Sequence, residues 1–296
     1  MQYVTARSAQ GASHIRDGKP CQDAVLFWPE AGVSAEDDIC ILVLADGHGS
    51  SKSPNSDIGA KFATEIGLKW LKDFSANFPE CSTPVLIRNA RDHLARGIVR
   101  EWIDRVMARE SELPPTESGD AASGARASVH DILQKYGSTL IGILVTPGYI
   151  LYIQLGDGDI MTYSPVNDVV RPITDDDSLI ANETTSLCSR AAWSEFRMAV
   201  TTRPKDRSVL ILASTDGYSN SFTSRSEFEK LCPDYFAMIA NDEWETIVNN
   251  LEEWLAQTSV EGSGDDISLG MIFLSDAPSE LIGHRPDKEE TNKLCC

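Results

Sequence analysis

The stretch ICILVLADGHGS, residues 39–50, constrains the fold more than any other part of the chain. Seven apolar residues, Ile39 to Ala45, stop abruptly at Asp46-Gly47-His48-Gly49. A run this short, apolar without alternation and followed by glycines, predicts a strand buried on both faces. Such a strand needs a cover on each side, so the chain must build layers. Asp46 falls where the rigid strand gives way to a turn. Glycines at 47 and 49 let backbone amides and carbonyls approach a ligand closely. A carboxylate so placed, beside a carbonyl and an imidazole, suits a hard divalent cation.

The same arrangement recurs along the chain. Asp216-Gly217 follows the apolar run Val209 to Ala213, and Asp157-Gly158 follows Tyr149 to Leu155. Asp265 and Asp266 come instead just before the apolar strand ISLGMIFL. Antiparallel neighbours bring strand ends and strand starts to one edge of a sheet, where these carboxylates can converge. One Asp-Gly after a strand is ordinarily a hairpin turn. Three of them, one carrying a histidine, point to a site.

A hydrophobic content of 42% and six tryptophans supply a real core. The net charge of −19 argues against nucleic-acid binding through phosphates. No apolar run reaches the roughly 18 residues needed to span a bilayer, and the N-terminal stretch has no signal-peptide core. No membrane association is expected. Seven scattered cysteines lack zinc-ligand spacing and suggest reduced thiols in a cytoplasm, with Cys295-Cys296 in a frayed tail.

Taken in order, residues 3–8 and 23–28 alternate as strands, with the polar loop GASHIRDGKPCQ between them. Ile58, Phe62, Ile66 and Trp70 recur every four residues and predict a helix. Thr83-Pro84 predicts the start of another, whose stripe is Ala90, Leu94, Ile98, Trp102 and Val106. The arginines of that helix read as solvated, and His93 as a surface residue. Residues 111–128 read as a mobile connection and Val129 to Tyr136 as a short helix. A β-meander is expected over STLIGILV, YILYIQL and DIMTYS, joined by Pro-Gly and Gly-Asp-Gly turns. Residues 164–207 read as an irregular surface insertion near the site, a candidate lid. The strand SVLILAS, its TDG turn and two helices follow; Trp244, Ile247, Leu251 and Leu255 mark the clearest amphipathic pattern. Residues 1–275 thus form one α+β domain, with sheets flanked by helices, and residues 276–296 a polar disordered tail.

Oxygen ligands in this number suit magnesium or manganese. Four bare anions in one place repel strongly, so the cluster itself implies dications that neutralise it. Two such ions generate a hydroxide for in-line attack at phosphorus. His48 can then protonate the leaving alkoxide, and Arg16 or His14 can bind the phosphate oxygens. Taken singly, His48, Asp157 and Asp216 are each more ordinary as turn residues; together they are not. A calcium-binding structural domain is a poorer match, since no DxDxDG loop is present.

LADGHGS, GSTLIGIL, LGDGD, ASTDG and GDDISL, in this order, resemble the metal-dependent protein phosphatases of type 2C over residues 5–275. GASH and GKPCQDA are similar to a bacterial branch. The resemblance implies a four-layer sandwich of two antiparallel β-sheets flanked by α-helices. It implies a serine/threonine phosphoprotein phosphatase, in which a hydroxide bridging two Mn²⁺ or Mg²⁺ ions attacks the phosphomonoester. Asp46 would bridge both ions, with Gly47 ligating through its carbonyl and Asp216 and Asp265 completing one shell. Asp23 would orient a metal-bound water, Asp157 with Asp216 would hold a weaker third ion, and His48 would be the general acid. Three departures stand out: Gln22 replaces a glutamate, the phosphate-binding arginine maps onto Arg16 only across a longer loop, and Asp159 stands where a basic residue is usual. The expected partners are a phosphorylated protein and a cognate serine/threonine kinase, the protein itself being a monomer that works in signalling. The alternative reading is a pseudophosphatase or phosphoprotein-binding module that retains the fold.

Overall fold

The computed structural model describes residues 1–35, 38–113, 128–174 and 185–275. Two antiparallel sheets stack face to face. One runs β3 (Val33–Ser34), β1 (Gln2–Ala9), β11 (Ile267–Leu274), β10 (Val209–Ser214), β7 (Asp159–Ser164) and β8 (Asn167–Val170). The other runs β2 (Ala24–Trp28), β4 (Cys40–Ala45), β5 (Leu140–Val145), β6 (Tyr149–Leu155) and β9 (Arg197–Thr202).

The unbroken apolar run at the start of the key stretch is explained by this stacking. Cys40, Leu42 and Leu44 of β4 point into the core between the sheets, where they meet Ile141, Ile211 and Ile272. Ile41, Val43 and Ala45 point outward, under α2 (Ser56–Asn77), against which α4 (Arg96–Glu112) packs. The opposite outer face is closed by α9 (Leu231–Ala240) and α10 (Trp244–Glu261), whose Ile247, Leu251 and Leu255 pack on Leu210, Leu212 and Met271. The result is the expected α/β/β/α sandwich.

Both helical stripes form helices, but in α2 only Ile66 is buried, with Ile58, Phe62 and Trp70 partly buried against the core. Ala90, Leu94, Ile98, Trp102 and Val106 are all fully buried. The stripe is nevertheless not one α-helix. α3 (Thr83–Asn89) passes through a π turn, Ala90–Ala95, before α4 begins, and Ser82 rather than Thr83 takes the N-cap position.

Three expectations need correction. The polar loop after β1 contains a helical turn, α1 (Ala12–Asp17), closed by Gly18 in the left-handed conformation. The meander is broken: β5 and β6 pair in one sheet, whereas β7 pairs with β10 in the other. Alternation reports that a strand has two faces but not which sheet it joins, so the Gly156-Asp157-Gly158 crossing could not be read. Finally, the stretch 164–207 is not a mere insertion. It supplies β8, the turn α6 (Ala192–Glu195) and β9, which extends the second sheet by pairing with β6. The mobile-connection reading for 114–127 and the disordered tail at 276–296 lie outside the described residues, as does the centre of the candidate lid, 175–184.

Candidate functional site

Asp46 ends β4, Asp216 follows β10 at the start of α7 (Asp216–Ser219), and Asp265 precedes β11, the strand paired with β10. Asp157 lies in the crossing from β6 to β7. These four carboxylates, from four turns, line a single cleft of about 180 Å³ together with His14, Gly47 and His48. The edge-of-sheet convergence expected from the sequence is present, although it draws on both sheets.

The local backbone is tightly fixed. The Asp46 amide donates to Thr139 Oγ1 at 2.9 Å, and the Thr139 amide donates back to the Asp46 carbonyl at 2.8 Å. Gly47 N donates to Gln22 O at 3.1 Å, and His48 N to Gly137 O at 3.0 Å. No side chain fits at position 47: a Cβ there would sit 2.6 Å from Ser56 O and 2.7 Å from Gln22 O. His48 packs against Gly137, where an added Cβ would lie 2.4 Å from its Cδ2 and 3.2 Å from Cys188 Sγ.

The carboxylates are forced together against their charge. Burial pushes the Asp46 carboxyl well above the usual range, and the neighbouring Asp23, Asp216 and Asp157 push it further. Asp216 is also raised, chiefly by burial and then by Asp157 and Asp265, while its hydrogen bond with Asp46 opposes the shift. Asp23 lies beneath the cleft and reaches about 7, again because of burial, with Asp266 and Asp265 adding to it. Its Oδ2 accepts from Thr215 Oγ1 and Ser268 Oγ, both at 2.8 Å, while Oδ1 is buried with no partner. Burial lowers the His48 imidazole, opposed by Asp157. Buried carboxylates that repel each other and leave an oxygen unsatisfied fit a hard dication, which would neutralise the charge and use the oxygens.

Two of the expected residues come out differently from one another. His14 is buried and lines the cleft. Arg16 points to the exterior, its side chain 73% exposed, with Asp17 at 3.8 Å as its neighbour. The helical turn α1 separates them: residues two apart on a helix face different sides, so only one can enter the cleft. Asp266 is more of an anchor than a ligand. Its oxygens accept from Gly11 N and Gln22 N, each at 2.6 Å, and His14 Nδ1 lies 2.9 Å away, off the line of a hydrogen bond. His14, Asp265 and Asp266 do offer ligand atoms within 4.8 Å of one another. With both Asp266 oxygens engaged by amides, that trio seats the α1 turn. Gln22 and Gly49, both marked by the sequence, also line the cleft, as does Thr139, which carries no sequence signal because only the tertiary pairing of its loop brings it there.

The sequence profile of the protein phosphatase 2C family matches residues 10–256. No curated protein matches the chain significantly. Among solved structures, the fold is similar to the catalytic domain of the serine/threonine protein phosphatase PstP in complex with 2 manganese ions. There the identity is 16% and the TM-score 0.55, covering 93% of this chain and 99% of that one. PppA, a key regulatory component of T6SS in Pseudomonas aeruginosa, gives 17%, 0.55, 92% and 96%. PstP/Ppp of Mycobacterium tuberculosis gives 15%, 0.53, 93% and 99%. Identities this low establish the shared two-sheet fold.

Proposed function

The chain belongs to the protein phosphatase 2C family and is therefore a metal-dependent serine/threonine protein phosphatase, and from that premise we propose how its own residues divide the work. Asp46, the Gly47 carbonyl, Asp216 and Asp265 would hold two Mn²⁺ or Mg²⁺ ions, and Asp157 with Asp216 would offer a weaker third position. The ions, when bound, supply charge neutralisation, polarisation of the phosphoryl group and an acidified water.

Asp23 acts from beneath. Its unpartnered Oδ1 is an acceptor that orients water entering the cleft. His14, seated by Asp266, presents its Nε2 edge beside Asp265, at 3.9 Å, and serves as the phosphate donor in place of Arg16. His48 gives its proton to the serine or threonine oxygen as the ester bond breaks. The burial that lowers its pKa makes the protonated imidazole a readier acid.

The observation that carries this reading is the meeting of Asp46, Asp157, Asp216 and Asp265 with His48 in one cleft. A phosphoprotein-binding module without turnover would need neither the histidine nor four mutually repelling carboxylates. Mn²⁺-dependent hydrolysis of p-nitrophenyl phosphate and of a phosphoserine peptide tests it. Activity should be abolished in Asp46→Asn, and wild-type rates no higher than that variant's would refute the assignment.

The substrate is a phosphorylated protein, and we place the enzyme as a monomer in a cytoplasmic signalling pair with a serine/threonine kinase. Among the described residues, five cysteines free of disulfides support a reducing compartment. Among the described residues no helix is long and apolar enough to cross a membrane.

A further inference from the structure

Six arginines fall between positions 88 and 109 of a chain whose net charge is −19. All six are exposed, and four of them, Arg88, Arg91, Arg96 and Arg100, share one face. The π turn Ala90–Ala95 aligns them. A π turn takes about one residue more than an α turn, so Arg91 and Arg96, five apart, fall one turn apart on the same face. Arg88 and Arg100 continue that face at spacings of three and four.

Two cavities flank this stripe. Arg91 lines one of about 570 Å³ with Thr185, Glu195 and Arg197. Arg96 and Arg100 line another of about 490 Å³ with Trp70 and the acidic Asp92, Glu101 and Asp104. Arg96 stacks on Trp193 of α6, its guanidinium carbon 3.4 Å from the ring centroid. Among the described residues Arg88, Arg91 and Arg96 have no carboxylate within ion-pair distance, and Arg100 has Asp104 at 4.0 Å. Three of the four guanidinium groups of this stripe thus carry their charge without an ion-pair partner among the described residues, on a strongly acidic protein.

The stripe adjoins the catalytic cleft through one short wall. Gly156 N donates to Thr185 Oγ1 at 2.9 Å, and Arg197 Nη2 donates to Gly156 O at 2.7 Å. The next residue, Asp157, lines the cleft, while Thr185 and Arg197 line the larger cavity on the other side. A peptide whose phosphoresidue occupies the cleft and whose chain runs over this wall reaches the arginines within a few residues.

We infer that the Arg88–Arg91–Arg96–Arg100 face docks an acidic stretch of the protein substrate, next to the phosphoserine or phosphothreonine. This rests on the phosphatase assignment above and adds a substrate class to it. Guanidinium groups in a row, three of them without a carboxylate partner among the described residues, complement the spaced carboxylates of an acidic peptide.

The test compares two phosphoserine peptides that differ only in flanking residues, one carrying three glutamates and the other three alanines. The wild-type enzyme should favour the acidic peptide roughly tenfold in kcat/KM, through KM and with marked salt dependence. The triple variant R91A/R96A/R100A should lose that preference while hydrolysing p-nitrophenyl phosphate as the wild type does. Because loss of the Arg96–Trp193 stack can loosen α6, R91A/R100A provides a second test and should lose part of the preference. Equal use of both peptides by the wild type, or equal losses on both in the variants, would overturn the inference. So would arginine-dependent sedimentation with phosphatidylserine vesicles in the absence of any peptide preference. If p-nitrophenyl phosphate is not hydrolysed at all, the phosphatase assignment fails. Fluorescence anisotropy of the acidic phosphopeptide, with and without the arginines, then still decides whether the stripe binds it.

Discussion

Asp23 offers the sharpest test of the electrostatic account, because one substitution separates stability from activity. Its carboxyl is pushed from 3.8 up to about 7, mainly by burial. A rise of roughly three units corresponds to about 4 kcal/mol. The folded protein binds this proton more tightly than the unfolded chain does. Its stability contribution is therefore intact below pH 4 and lost as the pH rises through 7. Asparagine mimics the protonated acid: its Oδ1 can accept from Thr215 and Ser268, and its amide replaces the orphaned Oδ1 of the carboxylate. In EDTA, Asp23→Asn should match the wild type near pH 4 and exceed it by about 4 kcal/mol at pH 8, a gap on the order of 8 °C in Tm. Thermal melts across pH 4–8 read this directly. Mn²⁺ should narrow the gap, since a dication favours the charged carboxylate, while turnover by the variant falls. A Tm difference independent of pH, or a variant less stable than the wild type at pH 8, would refute the reasoning.

Three further outcomes follow from the cleft. Gly47→Ala forces a Cβ against Ser56 O at 2.6 Å and Gln22 O at 2.7 Å; overpacking there should cost on the order of 3 kcal/mol in chemical denaturation and abolish Mn²⁺-dependent activity. Asp216→Asn should weaken Mn²⁺ binding in calorimetry as well as slow turnover, so an unchanged binding isotherm would remove Asp216 from the ligand set. His48→Ala should slow phosphoserine-peptide hydrolysis on the order of a hundredfold yet affect p-nitrophenyl phosphate little, because a good leaving group needs no proton; equal losses on both would end the general-acid role.

Much of this architecture could be read from residue patterns because the relevant signals are local. An apolar run without alternation, such as Ile39 to Ala45, has one stable environment: a strand between two layers. The four-residue stripe from Ala90 to Val106 identified a buried helical face, and every member of it is buried. The site was legible for the same reason: Asp46, Asp216 and Asp265 sit where strands end or begin, and antiparallel pairing sends such positions to a shared edge. What local signals do not carry is the partner of a strand or the sense in which a side chain turns. Nothing in DIMTYS distinguishes pairing with β6 from pairing with β10, and nothing in GASHIRDG says that α1 aims His14 inward and Arg16 outward.

The failures are concentrated where the two sheets meet, and the meeting itself explains them. Asp157 reaches the cleft only because the chain leaves one sheet at Leu155 and enters the other at Asp159. Asp266 secures the opposite side of the same seam, its two oxygens held by the amides of Gly11 and Gln22 on a loop from the far end of the sequence. These are contacts between segments some 250 residues apart, fixed by the packing of whole layers rather than by neighbouring residues. The seam is also where the carboxylates gather, so the energetic cost of crowding them is borne by the rigid sandwich on either side. Crowding the anions at this seam carries a stability penalty that grows with pH and that bound dications would relieve.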